Sequence, residues 1–487
     1  MIRIFVIVLL FSLNCPAQNY KSVHQIENEY HAINSPPTAE IIRSTQHFMI
    51  KSTVPQTPVK TVFGYLPWWE YSSGSAGSLR YDLLTHVAVA FFETDSAGGI
   101  KDPPLWPWND LILNANNNNV KLIMALSNFE PAQIHNLLTD PVSRQKLFDS
   151  IIEKIKNYGF DGVNIDFENL NIPDRGFILN NFMKSLSDSI KSQYPLSEIS
   201  FASPAVNSGG WDFTGLSNSC DYLFLMGYDY YGSWSNTTGP SAPLTGTNFN
   251  LTYSLNQYYA AVPAEKIIFG VPYYGNYWRT DSSNAYTSVV PYDSNRTDNN
   301  WIAPLLTYKQ IAPLAASKER MWDDNSGTPW LRWYDSKWNQ IWYDDAVSLS
   351  LKYDLAISKK LKGIGIWALG YDKGKTELWN LIETKFITAV EEDHFAMPID
   401  FHLNQNYPNP FNPETVIGYR LPVACMVSLR VYDLLGREVA VLVDMEQEAG
   451  IYNSKFIIHN SKLPSGVYFY RLSAGTFSVT KKMILVR

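Results

Sequence analysis

Short apolar runs recur along the middle of the chain, at Val62–Leu66, His86–Phe92, Val120–Leu126, Gly162–Phe167, Glu198–Ser203, Tyr222–Tyr228, Lys266–Val271 and Gly363–Trp367. Segments of helical period, such as Arg144–Tyr158 and Arg175–Gln193, lie between several of them. Strands alternating with helices predict βα units on a parallel sheet. Eight such units in about 320 residues predict a (β/α)8 TIM barrel with insertions, of class α/β. Periodicity alone leaves a doubly wound sheet open. Beyond residue 400 the pattern changes to alternation, as in Val427–Val431 and Gly466–Arg471, cut by turn signals at Leu435-Gly436, Ala449-Gly450 and Ala474-Gly475. These short strands predict a small all-β sandwich.

The flanks carry neither pattern. Residues 18–58 mix polar residues with Pro36-Pro37, Pro55 and Pro58 and read as a linker. Ahead of them, Arg3, the apolar run Ile4–Leu13 and the small residue Ala17 predict a signal peptide over 1–17. The run is about half of what a bilayer span needs, which weakens a membrane anchor. The predicted organisation is therefore signal peptide 1–17, linker 18–58, barrel 59–385, linker 386–400 and sandwich 401–487.

The formal charge of −7 argues against nucleic acid as a partner. Three cysteines, Cys15, Cys220 and Cys425, supply no disulfide framework, so the fold rests on its core. All 15 Trp fall between Trp68 and Trp379, which places any use of indoles in the barrel. Trp68, Trp69, Trp234 and Trp278 are candidate sugar platforms, with core packing as their default.

The densest chemistry is Asp161-Gly162-Val163-Asn164-Ile165-Asp166-Phe167-Glu168. In a strand, Asn164, Asp166 and Glu168 share one face and Val163, Ile165 and Phe167 the other. Adjacent carboxylates facing a barrel interior raise one another's pKa, which suits a general acid. A solvated acidic edge strand is the competing reading, and an all-oxygen cation site remains open.

This strand resembles the Asp-x-x-Asp-x-Asp-x-Glu strand of glycoside hydrolase family 18, the chitinase-like barrels, at Asp161, Asp166 and Glu168, with Asn164 where the family usually has Asp. Phe63-Gly64-Tyr65, Met226-Gly227-Tyr228-Asp229, Gly270–Gly275, Trp342–Asp345 and Gly363–Trp367 resemble further family segments in order and spacing. The resemblance covers roughly residues 60–385. It implies substrate-assisted catalysis, in which the substrate's 2-acetamido group is the nucleophile. Glu168 is then the general acid/base, Asp166 orients the acetamido group, and Tyr228 hydrogen-bonds its oxygen. Tyr65, Asp161, Asn164, Asp229 and Trp367 complete the implied substrate-binding set. Asp161 would also support its strand end and Trp367 would floor the −1 sugar. Asn164 retains the capacity to hydrogen-bond Asp166 and implies a changed pH optimum. No metal or cofactor is implied.

Asn406–Pro413, Val431–Arg437, Ser465–Tyr470 and Lys481-Lys482-Met483 resemble the type A sorting domains of the type IX secretion system. A carbohydrate-binding module through Tyr407, Tyr468 and Tyr470 is the competing reading, weakened by the absence of Trp there. Together these features imply a monomeric, secreted or cell-surface retaining glycosidase exported through the periplasm. Chitin is its first substrate, peptidoglycan the second and N-glycan cores the third. A non-catalytic lectin on the same barrel is the alternative.

Overall fold

Eight parallel strands close on themselves: β1 (Thr61–Pro67), β2 (His86–Thr94), β3 (Lys121–Asn128), β4 (Gly162–Phe167), β5 (Glu198–Pro204), β6 (Tyr222–Met226), β7 (Ile267–Pro272) and β8 (Gly363–Trp367). Neighbours pair in chain order, and β1 pairs both β2 and β8, completing the (β/α)8 barrel. All eight predicted runs are strands. The computed structural model describes residues 21–34, 60–290, 305–387 and 401–486, less 407–408, 422, 448–449, 459–462 and 476. The predicted signal peptide, most of the 386–400 segment and Tyr407 lie outside the described residues.

The strands are buried along almost their whole length, which is why they read as continuous apolar runs. Side chains fill the interior. A Cβ on Gly365 would lie 2.1 Å from the Phe224 ring, so β8 is thinned where that ring crosses the barrel. The helix after β3, Pro141–Tyr158, starts where Asp140 accepts the Ser143 N–H at 2.8 Å, with Pro141 at its first position. It ends at Gly159, whose φ of 70° suits a residue without a side chain.

Between β7 and β8 the chain builds a second, antiparallel sheet from Tyr274–Thr280, Val289–Val290, Leu306–Thr307, Glu319–Asp323, Thr328–Asp335 and Lys337–Tyr343. Trp278, Trp330 and Trp342 form its own buried cluster, so Trp278 is a core residue and no sugar platform. Past this sheet, Asp345 caps the helix Ala346–Ser358, accepting from Val347 and Ser348 N–H at 3.0 and 3.1 Å. Asp344 pairs inward with Lys352, both fully buried.

Residues 401–486 form a separate unit. A three-stranded sheet (His402–Leu403, Glu414–Leu421, Gly450–Ile457) and a four-stranded one (Glu438–Gln447, Cys425–Tyr432, Gly466–Ala474, Phe477–Leu485) share one core. Tyr468 and Tyr470 are buried in it, their hydroxyls donating to the carbonyls of Pro464 and Asn404 at 2.8 Å each. That geometry removes both from a sugar-stacking surface.

The N-terminal segment departs from the linker reading. Val23–Asn34 is a helix, α1, whose start is capped by the Ser22 hydroxyl accepting the Gln25 N–H at 3.1 Å. It belongs to the same compact unit as the barrel. Its buried positions include His24, Gln25 and Glu27. The inward face is polar, so no apolar stripe announces the helix.

Candidate active site

Asn164, Asp166 and Glu168 lie along the polar face of β4, the first two within the strand and Glu168 just beyond its end. Asn164 and Asp166 have no solvent exposure. Asn164 accepts the Tyr65 hydroxyl at 2.7 Å and donates to Ser200 Oγ at 2.9 Å. Its amide is thereby spent on β1 and β5 and makes no hydrogen bond to Asp166, contrary to expectation. The Tyr65 ring in turn packs against His24 and Trp367, with centroids 5.8 and 5.6 Å apart.

Asp161 is displaced further from its expected role. It precedes β4 at the opposite end of the strand from Glu168, about 23 Å away at 3.3 Å per residue. There it is exposed, and its carboxylate accepts the Leu122 N–H at 2.8 Å. It ties β4 to β3 on the face of the barrel that does not carry active sites, so the strand-end support is present and the substrate contact is not.

The other expected residues converge at the C-terminal mouth. Tyr228 and Asp229 follow β6, and Trp367 closes β8. Asp229 has a φ of 60°, a conformation Asp tolerates better than most residues. Its backbone N–H donates to Ser241 Oγ at 3.1 Å, and its carboxylate accepts the Tyr274 hydroxyl. Trp367 stacks on Phe91 with centroids 5.6 Å apart and 18° between planes. Burial and the adjacent Asp166 charge push the Glu168 carboxyl above its ordinary range, against the pull of His24. Burial likewise raises the Tyr228 hydroxyl, keeping it a donor.

The mouth is occupied by α1. His24 Nδ1 lies 2.8 Å from Asp166 Oδ2 and 3.2 Å from Glu168 Oε1, and Nε2 lies 2.9 Å from Tyr228 Oη. The imidazole sits on Trp367, centroids 3.8 Å apart. Burial works against charge on this ring, but Asp166 and Glu168 outweigh it and push the pKa up to about 10. One turn on, Glu27 Oε2 accepts the Trp367 indole N–H at 3.1 Å and the Tyr371 hydroxyl at 2.6 Å. Asn28 accepts the Trp68 indole N–H at 2.9 Å and donates to Glu93 at 2.9 Å. A further turn on, His31 stacks on Trp69 at 4.8 Å and 10°. Val23 N–H donates to Asp229 Oδ2 at 3.1 Å, so the positive end of the helix faces the acids.

His24, Asp166 and Glu168 also make a three-donor cluster of the kind that holds a cation. Both ring nitrogens are already engaged, with Asp166 and Tyr228, and the charged imidazole has no lone pair to give. His24, Glu27, Asn28 and Tyr371 were not foreseen from sequence. The signal available was the spacing 24, 27, 28, 31, one helical face that is polar throughout.

A closed parallel barrel with neighbouring carboxylates and an indole at its C-terminal mouth is the architecture of a barrel hydrolase. Residues 61–372 match the model of glycosyl hydrolases family 18, and the chain belongs to that family. Residues 405–486 match the secretion system C-terminal sorting domain. Among curated relatives, the putative sporulation-specific glycosylase YdhD of Bacillus subtilis (strain 168) is 28% identical over 261 residues, 50% of this chain and 56% of that protein. The probable endochitinase of Caenorhabditis elegans is 26% identical over 348 residues, 63% of this chain and 55% of that protein. The chain thus spans about half the length of these relatives. The group IV chitinase of Ostrinia furnacalis, solved in complex with allosamidin, shares the fold with a TM-score of 0.60 at 24% identity, over 67% of this chain and 98% of that one.

Proposed function

We propose that the barrel hydrolyses β-1,4 bonds of N-acetylglucosamine-containing glycans, chitin first, with retention of configuration. The observation that carries this reading is the convergence of Asp166, Glu168, Tyr228 and Trp367 on one buried point at the barrel mouth. The −1 sugar lies on Trp367. Glu168, whose carboxyl burial and the Asp166 charge raise above its ordinary range, gives its proton to the glycosidic oxygen as the bond to C1 breaks. The carbonyl oxygen of the sugar's own 2-acetamido group attacks C1, closing a positively charged five-membered ring. Asp166 accepts that ring's N–H and stabilises its charge, and Tyr228 donates to its oxygen. Glu168, now ionised, takes a proton from water as the water oxygen bonds to C1 and the ring's C1–O bond breaks, which restores the acetamido group. The chitinase relatives support the substrate class, with peptidoglycan the second candidate.

Residues 405–486 act as an address for type IX export after a signal peptide over 1–17 has delivered the chain, as a monomer, to the periplasm. Turnover requires α1 to leave the groups named above. The test is therefore run on the full chain carrying His24→Ala and Glu27→Ala, with chitooligosaccharide and purified peptidoglycan as substrates. Cleavage of either, lost in a further Glu168→Gln variant, is the expected result. Binding without cleavage favours a lectin.

A further inference from the structure

We infer that α1 is an intramolecular plug that holds the glycan cleft latent by standing, side chain for side chain, on the groups a bound oligosaccharide would use. The inference rests on the site reading above, in that the cleft is a glycan cleft.

The fit is specific to the mouth. Ring attack by the acetamido oxygen generates a planar, cationic five-membered ring with an N–H toward Asp166. The His24 imidazolium is a planar, cationic five-membered ring with an N–H toward Asp166 at 2.8 Å, lying on Trp367. Seven residues on, about 10 Å along the helix, His31 covers Trp69 as a second ring would. Between them Glu27 and Asn28 take the indole N–H groups of Trp367 and Trp68 and the Tyr371 hydroxyl. The edges of α1 are fixed too, Gln25 accepting from Asn169 at 3.2 Å and Val23 donating to Asp229.

Complementarity of this kind is selective. A helix packed for stability presents an apolar stripe. α1 instead buries a histidine, a glutamine and a glutamate, residues that are costly to bury unless each is paired. The hydrogen-bond partners of His24 and Glu27 are polar groups of the barrel mouth, and Gln25 divides its amide between Asn169 there and Glu29 of α1.

Docking is unimolecular, because 25 residues join Asn34 to Lys60 in the same chain. A tethered ligand competes at an effective concentration that reaches the order of millimolar. Substrate meets only the fraction of molecules with α1 withdrawn, and its apparent affinity falls by that fraction. The plug survives removal of residues 1–17, which lie outside it. Latency of this design keeps the hydrolase closed until the tether is cut or the helix is drawn out.

The experiment uses the full chain in three forms: unmodified, His24→Ala with Glu27→Ala, and unmodified but with residues 40–46 replaced by a site-specific protease sequence and cut after folding. The cut form keeps every side chain of the barrel and of α1, so it answers for a double variant that fails to fold. Three quantities are read: affinity for chitotetraose in a Glu168→Gln background, its cleavage without that change, and amide hydrogen-exchange protection of residues 24–31. The plug predicts protection in the unmodified chain, loss of protection in the double variant, and about tenfold or greater gain in affinity and cleavage there and after cutting. Glu27→Gln alone, which keeps the oxygen acceptor for Trp367 and Tyr371, is expected to stay latent. Equal affinity and equal cleavage in all three forms overturn the plug. A gain in affinity with no cleavage in any form leaves the plug standing and removes the hydrolase.

Discussion

His24 and Asp166 are 142 positions apart in the chain and 2.8 Å apart in the fold, both without solvent exposure. The contact joins the part of the sequence that carries the least pattern to the part that carries the most. It also sets the direction in which the site responds to acid and base.

Seating of α1 weakens as pH rises above about 7. Asp166 and Glu168 from β4, with Tyr228 and Asp229 past β6, face His24, and Tyr371, Trp367 and Glu70 surround Glu27. His24, at 6.5 when free and about 10 when seated, contributes fully below 6.5, and that contribution is lost as pH rises to about 10. Burial raises the Glu27 carboxyl from 4.5 to about 7, so its contribution is complete below 4.5 and gone above about 7. The two run in the same direction. Burial lowers the His31 ring from 6.5 to about 4, which works the other way below 6.5, so protection factors for residues 24–31, corrected for intrinsic exchange, should fall from pH 7 to 10 while those of the barrel strands hold. A rise over that interval contradicts the assignment.

Removing the Asn164 amide should cost stability. Asn164→Leu leaves the Tyr65 hydroxyl without its acceptor and Ser200 without its donor, both inside the barrel. Buried polar groups stripped of partners cost about 1–3 kcal/mol each, so urea unfolding of the variant should show about 2–6 kcal/mol lost. Asn164→Asp keeps the acceptor for the Tyr65 hydroxyl and removes only the donor to Ser200, and should lose less.

The buried pair of Asp344 and Lys352 makes a sharper case. Lys352→Met strands a carboxylate with almost no exposure beside the last barrel strand. Breaking one partner of such a pair costs about 3–5 kcal/mol. Replacing both, as Asp344→Leu with Lys352→Met, should cost less than the single change. Unfolding midpoints of the three chains decide the order.

Deleting residues 401–487 should leave cleavage by the barrel unchanged, because the two units have separate cores, and should abolish export. Comparing secreted and retained protein by immunoblot measures it. Loss of action on insoluble chitin with export intact would instead make these residues a glycan-binding module, a reading already weakened by the burial of Tyr468 and Tyr470.

The barrel strands were legible because a buried parallel strand writes itself as an apolar run, and β4 was legible because alternation with a period of two separates Asn164, Asp166 and Glu168 from Val163, Ile165 and Phe167. What the pattern does not carry is which end of a strand a residue occupies. Asp161 shares the motif with Glu168 yet sits at the far end, tied to Leu122. Position in a layer was equally hidden: Asn164 turns its amide to Tyr65 and Ser200, partners on strands far away in sequence. α1 escaped for a different reason. Its inward face is His24, Glu27, Asn28 and His31, and hydrophobic periodicity registers a helix only when the buried face is apolar.

The most direct test of the account is the anomeric form of the first product, followed by proton NMR as chitotetraose is cut by the full chain carrying His24→Ala and Glu27→Ala. Attack by the acetamido oxygen from one face and by water from the other returns the β-anomer, which should appear first and then mutarotate. Early appearance of the α-anomer would mean that water displaces the leaving group directly. The role given to Asp166 would then be wrong.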